Sequence, residues 1–158
     1  MNSATNDTLM RLTREDTELR FAAFEHDDAI SVGQRVIDLA RQRELTISVA
    51  VWLGEQLVFQ AALAGTTADN DGWMNRKAAV VRRFDKASLL VAEQMAAYGI
   101  DDPATARMVD PMLYAFNGGA VPIRIGATQV GVAVASGVSD EVEHALVVEA
   151  LHAQLTRS

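Results

Sequence analysis

Thr128–Ser136 has the sequence TQVGVAVAS, a run in which valine alternates with glycine and alanine. Successive side chains of a strand point to opposite faces, so Val130, Val132 and Val134 share one face and the small residues share the other. Because neither face is polar, we expect other elements to cover both. The small face would let a helix, a second subunit or a flat ligand approach the backbone closely.

The segments around this strand predict a mainly antiparallel sheet of about five strands. Residues 121–125 precede it across a turn at Gly126, and residues 47–53 and 56–63 form a second apolar pair around Gly54-Glu55. The fifth and weakest strand is predicted at 19–24. Hairpins joined by helices favour an α+β domain, and a doubly wound parallel sheet is the alternative.

Apolar residues at helical spacing predict the helices that flank this sheet. Asp27 or Asp28 is predicted to cap a helix that ends near Glu44. Residues 73–98 are predicted as one long helix or two in tandem, and the last helix begins at 139 or 140, where Asp140-x-x-Glu143 resembles a capping box. Residues 1–18 are predicted as a weakly helical N-terminal segment of the single domain 1–158.

The composition excludes several classes of protein. The chain has 158 residues, 49% of them hydrophobic and 22% charged, which fits one domain. The absence of cysteine excludes thiolate catalysis and Cys-ligated metal centres. A net charge of −7 argues against a nucleic-acid partner. Because no run reaches the ~18–20 apolar residues of a membrane span, and because residues 1–8 lack signal-peptide order, we expect a cytoplasmic protein without a membrane partner.

The least generic segment is the polar loop at 65–72 and the helix that follows it. Three residues are candidates to cap this helix: Asp69, Asn70 and Asp71. Arg76 and Lys77 lie one turn beyond Trp73, which puts two cations on a stripe that should be apolar. They predict either a clamp for carboxylates or phosphates, or a structural ion-pair network with acidic partners at Asp69, Asp71 or Asp110.

Two further features are candidates for ligand contacts. The turn at Gly118-Gly119 exposes backbone N–H groups that could bind an anion, although a plain β-turn is the alternative. His144 lies on the apolar row of the last helix near its N-terminus, where burial and the helix dipole favour a neutral imidazole. Such an imidazole could bind a metal or accept a proton, and a structural core histidine is the alternative. No His and carboxylate set has zinc-site spacing, so no metal site is predicted.

Several short motifs, taken in order, resemble the haem-degrading domain family. They are Asp69-Asn70, Trp73, Arg76-Lys77, then Gly118-Gly119-x-Val121-Pro122-Ile123, and finally His144 to Leu151. This family includes GlcG-like proteins and the C-terminal part of PduO-type adenosyltransferases, and the closest resemblance is to its stand-alone, functionally uncharacterised branch. The resemblance implies a profilin-like α/β/α domain with a five-stranded antiparallel sheet, assembly into homo-oligomers, and haem binding or degradation.

Three functions are consistent with these residues and this resemblance. The first is a homo-oligomer that binds haem or another anionic small ligand, with Arg76 and Lys77 on the propionates, Trp73 stacking and His144 as axial ligand. The second is a small-molecule enzyme that uses His144 as acid or base. The third is a non-catalytic assembly whose polar motif is structural. The candidate ligand-binding residues are Asp69, Asn70, Trp73, Arg76, Lys77, Gly118, Gly119 and His144.

Overall fold

The computed structural model describes residues 2–106 and 108–157, which form five helices and a four-stranded sheet. The sheet has the order β2-β1-β4-β3, and each neighbouring pair is antiparallel. The α+β fold with an antiparallel sheet is therefore confirmed, and the parallel alternative is excluded. The elements are α1 (Ser3–Glu18), α2 (His26–Gln42), β1 (Ser48–Leu53), β2 (Gln56–Ala62), α3 (Ala68–Phe84), α4 (Ser88–Ala97), β3 (Ala120–Ile125), β4 (Thr128–Ser136) and α5 (Asp140–Leu155).

Helices cover both faces of the sheet, as the sequence of β4 predicts. Val132 and Val134 belong to a cluster with α3, which includes Met74, Ala78 and Val81. Ala133 and Ala135 belong to the larger core on the other face, to which α2 and α5 contribute Val32, Val36, Leu146 and Leu151. The helices and the sheet thus form three layers. Among the described residues, no helix is both long and apolar enough to cross a membrane.

The predicted fifth strand at 19–24 is wrong for the described chain. Only Phe21 joins the sheet: its N–H donates to the Arg124 carbonyl oxygen at 2.9 Å, and its own carbonyl oxygen accepts from the Gly126 N–H at 2.9 Å. The alternation fails at Ala23, which is exposed, whereas Phe24 is buried. The segment is a connector anchored by a few hydrophobic side chains, because it lacks a continuous ladder. The profilin-like label stays a prediction.

The start of α2 and the end of α3 are each set by a local backbone feature. The N-cap of α2 is Glu25 and not Asp27 or Asp28, although Asp28 completes a reciprocal capping box with it. The predicted helix over 73–98 is two helices in tandem, because Asp85 adopts a left-handed conformation with φ of 52° and ends α3. The chain then turns before α4 begins. The segment that the sequence predicts as weakly helical contains α1, a regular helix of 16 residues from Ser3 to Glu18.

Candidate functional site

The polar loop before α3 forms a capped helix start that is tied to the end of β4. Thr67 is the N-cap, and its Oγ1 accepts a hydrogen bond from the Asp69 N–H at 3.3 Å. Asn70 Oδ1 accepts from the Thr67 N–H at 3.0 Å, so Thr67 and Asn70 form the capping box. The prediction that Asp69, Asn70 or Asp71 is the cap is therefore wrong. Asn70 Nδ2 also donates to Ser136 Oγ at 3.2 Å.

Lys77 is buried where α3, β4 and α5 meet, with only 1% of the residue exposed. Its Nζ donates to Glu143 Oε2 at 2.7 Å, to the Ala135 carbonyl oxygen at 2.5 Å and to the Gly118 carbonyl oxygen at 3.0 Å. An ammonium group has three protons, so these contacts use all of its donors. Burial lowers the pKa of Lys77, and the nearby carboxylates of Glu143 and Asp140 oppose that shift. Lys77 thus links several elements and has no donor left for a ligand.

Both carboxylate oxygens of Glu143, the partner of Lys77 in this buried pair, accept hydrogen bonds. Oε2 accepts from Lys77, and Oε1 accepts from the Gly137 N–H at 2.7 Å and the Val138 N–H at 2.9 Å. Gly119 lies against the pair with φ of +122°, and a Cβ there would come within 2.8 Å of Lys77 Nζ and 2.9 Å of Glu143 Oε2. Only glycine fits this backbone position. Sequence reasoning treated Glu143 as half of a capping box and missed its ionic partner.

A polar cleft of about 270 Å³ lies beside the Lys77–Glu143 pair. Its walls are the start of α3, the loop before β3, and the junction from β4 to α5. The described residues that line it are Asp69, Asn70, Trp73, Lys77, Asn117, Ser136, Gly137, Val138, Asp140 and Glu143. Four predicted ligand residues therefore share one cavity: Asp69, Asn70, Trp73 and Lys77.

The other cation of the predicted clamp has a different position. The Arg76 guanidinium lies over the Trp73 ring, with Cζ 4.2 Å from the ring centroid, and its Nε donates to the Gly72 carbonyl oxygen at 3.3 Å. Arg76 lines a neighbouring depression together with residues 101–104 and with residues of the segment 109–117. Arg76 and Lys77 thus do not converge on one anion site. Gly118 and Gly119 contact the buried pair behind the cleft.

His144 lies beneath α1 and does not line the cleft. It is 1% exposed, and its Nε2 is 2.7 Å from Glu15 Oε2. Its Nδ1 has no hydrogen-bond partner among the described residues. Burial alone would raise the pKa of Glu15, but hydrogen bonds and charges from His144 and Arg11 lower it overall. The structure therefore does not bring His144 and Trp73 into one cavity.

The chemistry available in the cleft is mainly hydrogen-bond acceptance. Asp140 Oδ2 accepts from Asn117 Nδ2 at 3.2 Å, and Ser136 Oγ accepts from the Asn70 amide, which cannot act as a general base. The Glu143 carboxylate already accepts three hydrogen bonds, from Lys77 and from the N–H groups of Gly137 and Val138. Among the described residues, no group of three or more His, Cys, Asp or Glu side chains is arranged to hold a metal ion.

The fold and the cleft place this chain among α+β domains with helices on both sides of an antiparallel sheet. A model of the family described as haem degrading protein HbpS-like matches residues 24–152. A UPF0303 protein of Streptomyces avermitilis is 41% identical over 95% of this chain and 92% of its own length. The chain belongs to the HbpS-like family, which confirms the resemblance seen in the sequence.

Solved structures share the same fold. The crystal structure of Ybr137w superposes with a TM-score of 0.85 at 24% identity, covering 94% of this chain and 88% of that one. The crystal structure of a PduOC:heme complex superposes with a TM-score of 0.70 at 13% identity, covering 83% of this chain and 94% of that one. At such identities the likeness establishes the fold alone.

Proposed function

We propose that this protein binds a compact, polar small molecule in the cleft beside Asp69, Asn70 and Trp73, and that it acts as a homo-oligomer. The cleft itself supports the proposal, because residues 69–77 of α3 and the first turn of α5 line it together. Ligand pockets usually span about 300–1,000 Å³, so a cavity of about 270 Å³ suits a small ligand. Trp73 supplies an aromatic wall, and the surrounding carboxylate, amide and hydroxyl groups would orient the ligand.

The residues around the cleft do not fit haem. A haem site needs an axial ligand and a large, mainly apolar cavity. The described lining contains no His, Met, Tyr or Cys, and most of its side chains are polar or charged. Lys77 is committed to Glu143 and has no proton left for a propionate. His144, the axial ligand suggested by the sequence, is enclosed beneath α1. The haem in the PduOC complex is a property of that protein.

Self-association is supported by exposed apolar side chains in the segment before β3. Met112 is 79% exposed and its neighbour Leu113 is 59% exposed. Large contiguous apolar patches mark protein contact surfaces, and these two neighbours would form part of such a patch. The double variant Met112→Ser/Leu113→Ser is expected to reduce the mass measured by light scattering after size exclusion. An unchanged mass would place the subunit contact elsewhere. The cytoplasmic location stays a prediction.

The alternative, a non-catalytic assembly, is favoured by one observation. Lys77 is fully paired, so the cationic part of the motif serves the structure. A structural role explains why Lys77 is buried and why the chain turns at Gly118 and Gly119. It does not explain the open cleft at Asp69 and Trp73. A catalytic role for His144 has less support, because His144 lies outside the cleft.

Trp73 offers a direct test of ligand binding. The chain has two tryptophans, so Trp52→Phe leaves Trp73 as the single reporter. We would titrate this variant with a panel of metabolite-sized compounds and with haemin while following its fluorescence. A saturable change that Ser136→Leu abolishes, and that Ser31→Leu on α2 leaves intact, supports the proposal. A change that survives Ser136→Leu, or no change with any compound, refutes binding in the cleft. Circular dichroism would confirm that both variants fold.

A further inference from the structure

We propose that one side of α3, together with the segments 101–104 and 109–114 beside it, is a two-fold contact with a second copy of this chain. In this contact, Arg76 and Arg83 of each subunit meet the carboxylates of Asp101 and Asp102 of the other. The inference rests on the self-association in the proposed function and names the charged groups that direct it.

Two arginines on this side of α3 are positioned by aromatic rings and not by carboxylates. Arg76 lies over Trp73, and the Cζ atom of Arg83 lies 5.2 Å from the ring centroid of Tyr114 and 5.5 Å from that of Phe84. Residues 76 and 83 are two helical turns apart, so their side chains share one side of α3. Neither arginine forms an ion pair with any of the residues 2–106 and 108–157. Each guanidinium group therefore keeps N–H donors for a carboxylate from outside.

Two exposed carboxylates lie beside these arginines. Asp101 and Asp102 line the depression of about 290 Å³ that Arg76 also lines, yet neither is ion-paired within the described part of the chain. Asp102 accepts hydrogen bonds from the Ala104 N–H at 3.1 Å and from the Thr105 hydroxyl. This face of the subunit thus presents unpaired charges of both signs.

The mixture of signs identifies a second copy as the partner. A purely anionic partner would be repelled by Asp101 and Asp102, and a purely cationic one by the arginines. A two-fold axis solves this automatically, because residue i of one subunit meets residue j of the other and residue j meets residue i.

The uncharged residues on this face agree with a contact between subunits. Arginine, methionine and aromatic residues are enriched where proteins meet. Met112 is exposed and lines a groove together with Arg76, and the rings of Trp73 and Tyr114 lie under the two arginines. The face therefore combines apolar contact area with charges that select the partner.

This contact borders the ligand cleft. Trp73 and Asn117 line both the cleft and the depression. A partner subunit seated on the depression therefore lies beside the cleft, and its dissociation should change the surroundings of Trp73.

Charge reversal tests the contact, because a two-fold interface predicts which combinations of variants associate. Arg76→Glu brings like charges together at both symmetry-related contacts, and Asp101→Arg does the same with the opposite sign. Each variant should lower the mass measured by light scattering after size exclusion, and should weaken association at least about tenfold in sedimentation velocity. An equimolar mixture of the two variants should regain the wild-type mass, because every contact between them pairs opposite charges. The double variant Arg76→Glu/Asp101→Arg should regain it as well.

The chain offers matched controls for both reversals. Arg82→Glu makes the same change of charge on the same helix, and Arg82 also stacks on a tryptophan, with Cζ 5.2 Å from the Trp52 ring centroid, but it lies on another side of α3. Asp38→Arg is the control for Asp101→Arg, because Asp38 is exposed on α2, across the sheet from α3. Both controls should keep the wild-type mass. If circular dichroism shows that Arg76→Glu does not fold, Arg83→Glu replaces it, because Arg83 is exposed.

The outcomes separate this inference from the proposed function. An unchanged mass for either reversal, an equal loss in Arg82→Glu, or a mixture that does not regain the mass overturns the contact. The proposed self-association survives these results if the wild type is an oligomer whose mass Met112→Ser/Leu113→Ser lowers. A wild-type chain that is monomeric at every concentration refutes both, whereas ligand binding in the cleft is decided by the Trp73 titration.

Discussion

Replacing Lys77 by methionine tests the role of the buried ion pair. Methionine keeps much of the side-chain volume but removes the ammonium group, so the Glu143 carboxylate and the carbonyl oxygens of Gly118 and Ala135 each lose a donor. Removing one partner of a buried ion pair costs about 3–5 kcal/mol, because the remaining charge stays buried without compensation. For a domain of this size, that free-energy loss corresponds to a fall in Tm of about 6–20 °C.

The assay is urea unfolding followed by far-UV circular dichroism and tryptophan fluorescence. The chain offers a matched control, because its second lysine, Lys86, is half-buried and makes one hydrogen bond to Gln94 at 3.2 Å. Lys86→Met should cost no more than about 1 kcal/mol. In a double-mutant cycle with Glu143→Gln, the double variant should lose less stability than the two single variants added together.

Two results would refute this reasoning about Lys77. One is a Lys77→Met variant whose free energy of unfolding lies within about 1 kcal/mol of the wild type, which would mean that the pair is solvated or replaceable. The other is strict additivity in the cycle with Glu143→Gln, which would mean that the two residues act independently.

Two further predictions concern the glycine turn and the N-terminal helix. Gly119→Ala should cost more stability than Gly126→Ala, by about 1–3 kcal/mol, because both residues have positive φ but only a Cβ at Gly119 meets other atoms, whereas one at Gly126 meets nothing within 4 Å. Equal urea midpoints would contradict this. The pKa of Glu15 is lowered in the folded state. Its contribution to the free energy of unfolding is therefore complete above the pKa of an unfolded carboxyl and disappears as the pH falls through the folded-state pKa. Glu15→Gln should therefore destabilise the protein at pH 7 by about 1–3 kcal/mol and flatten the acid limb of its stability profile, and an unchanged acid limb in unfolding curves would argue against the contact with His144.

Local patterns predicted most of the sheet correctly. Alternating side chains and a glycine turn fall within a few residues of each other, and both hairpins formed as expected. The same local rule failed at 19–24, because a strand also needs a partner along its whole length and only Phe21 found one. Four predicted residues of α3 line the same cleft because they are close together in sequence. They are Asp69, Asn70, Trp73 and Lys77.

Roles that depend on distant partners were not visible in the sequence. The sequence left open whether Lys77 belongs to an anion clamp or to an ion-pair network, and its carboxylate partner Glu143, which lies 66 residues away, was not among the acidic partners considered. The sequence left His144 open as either a ligand residue or a structural core histidine, because its partner Glu15 lies 129 residues away on a helix with only a weak sequence signal. Nothing in the local pattern of either residue indicates whether a buried charge will be paired or free.

The sequence by itself determined the fold class, the two hairpins and membership of the HbpS-like family, because these depend on periodicity and on motifs of neighbouring residues. Only the tertiary structure decided that Lys77 is paired, that His144 is covered by α1, and that Asp69 and Trp73 share one cleft with Asp140. The physical reason is that burial sets the cost of an unpaired charge, and burial depends on how distant elements pack against one another.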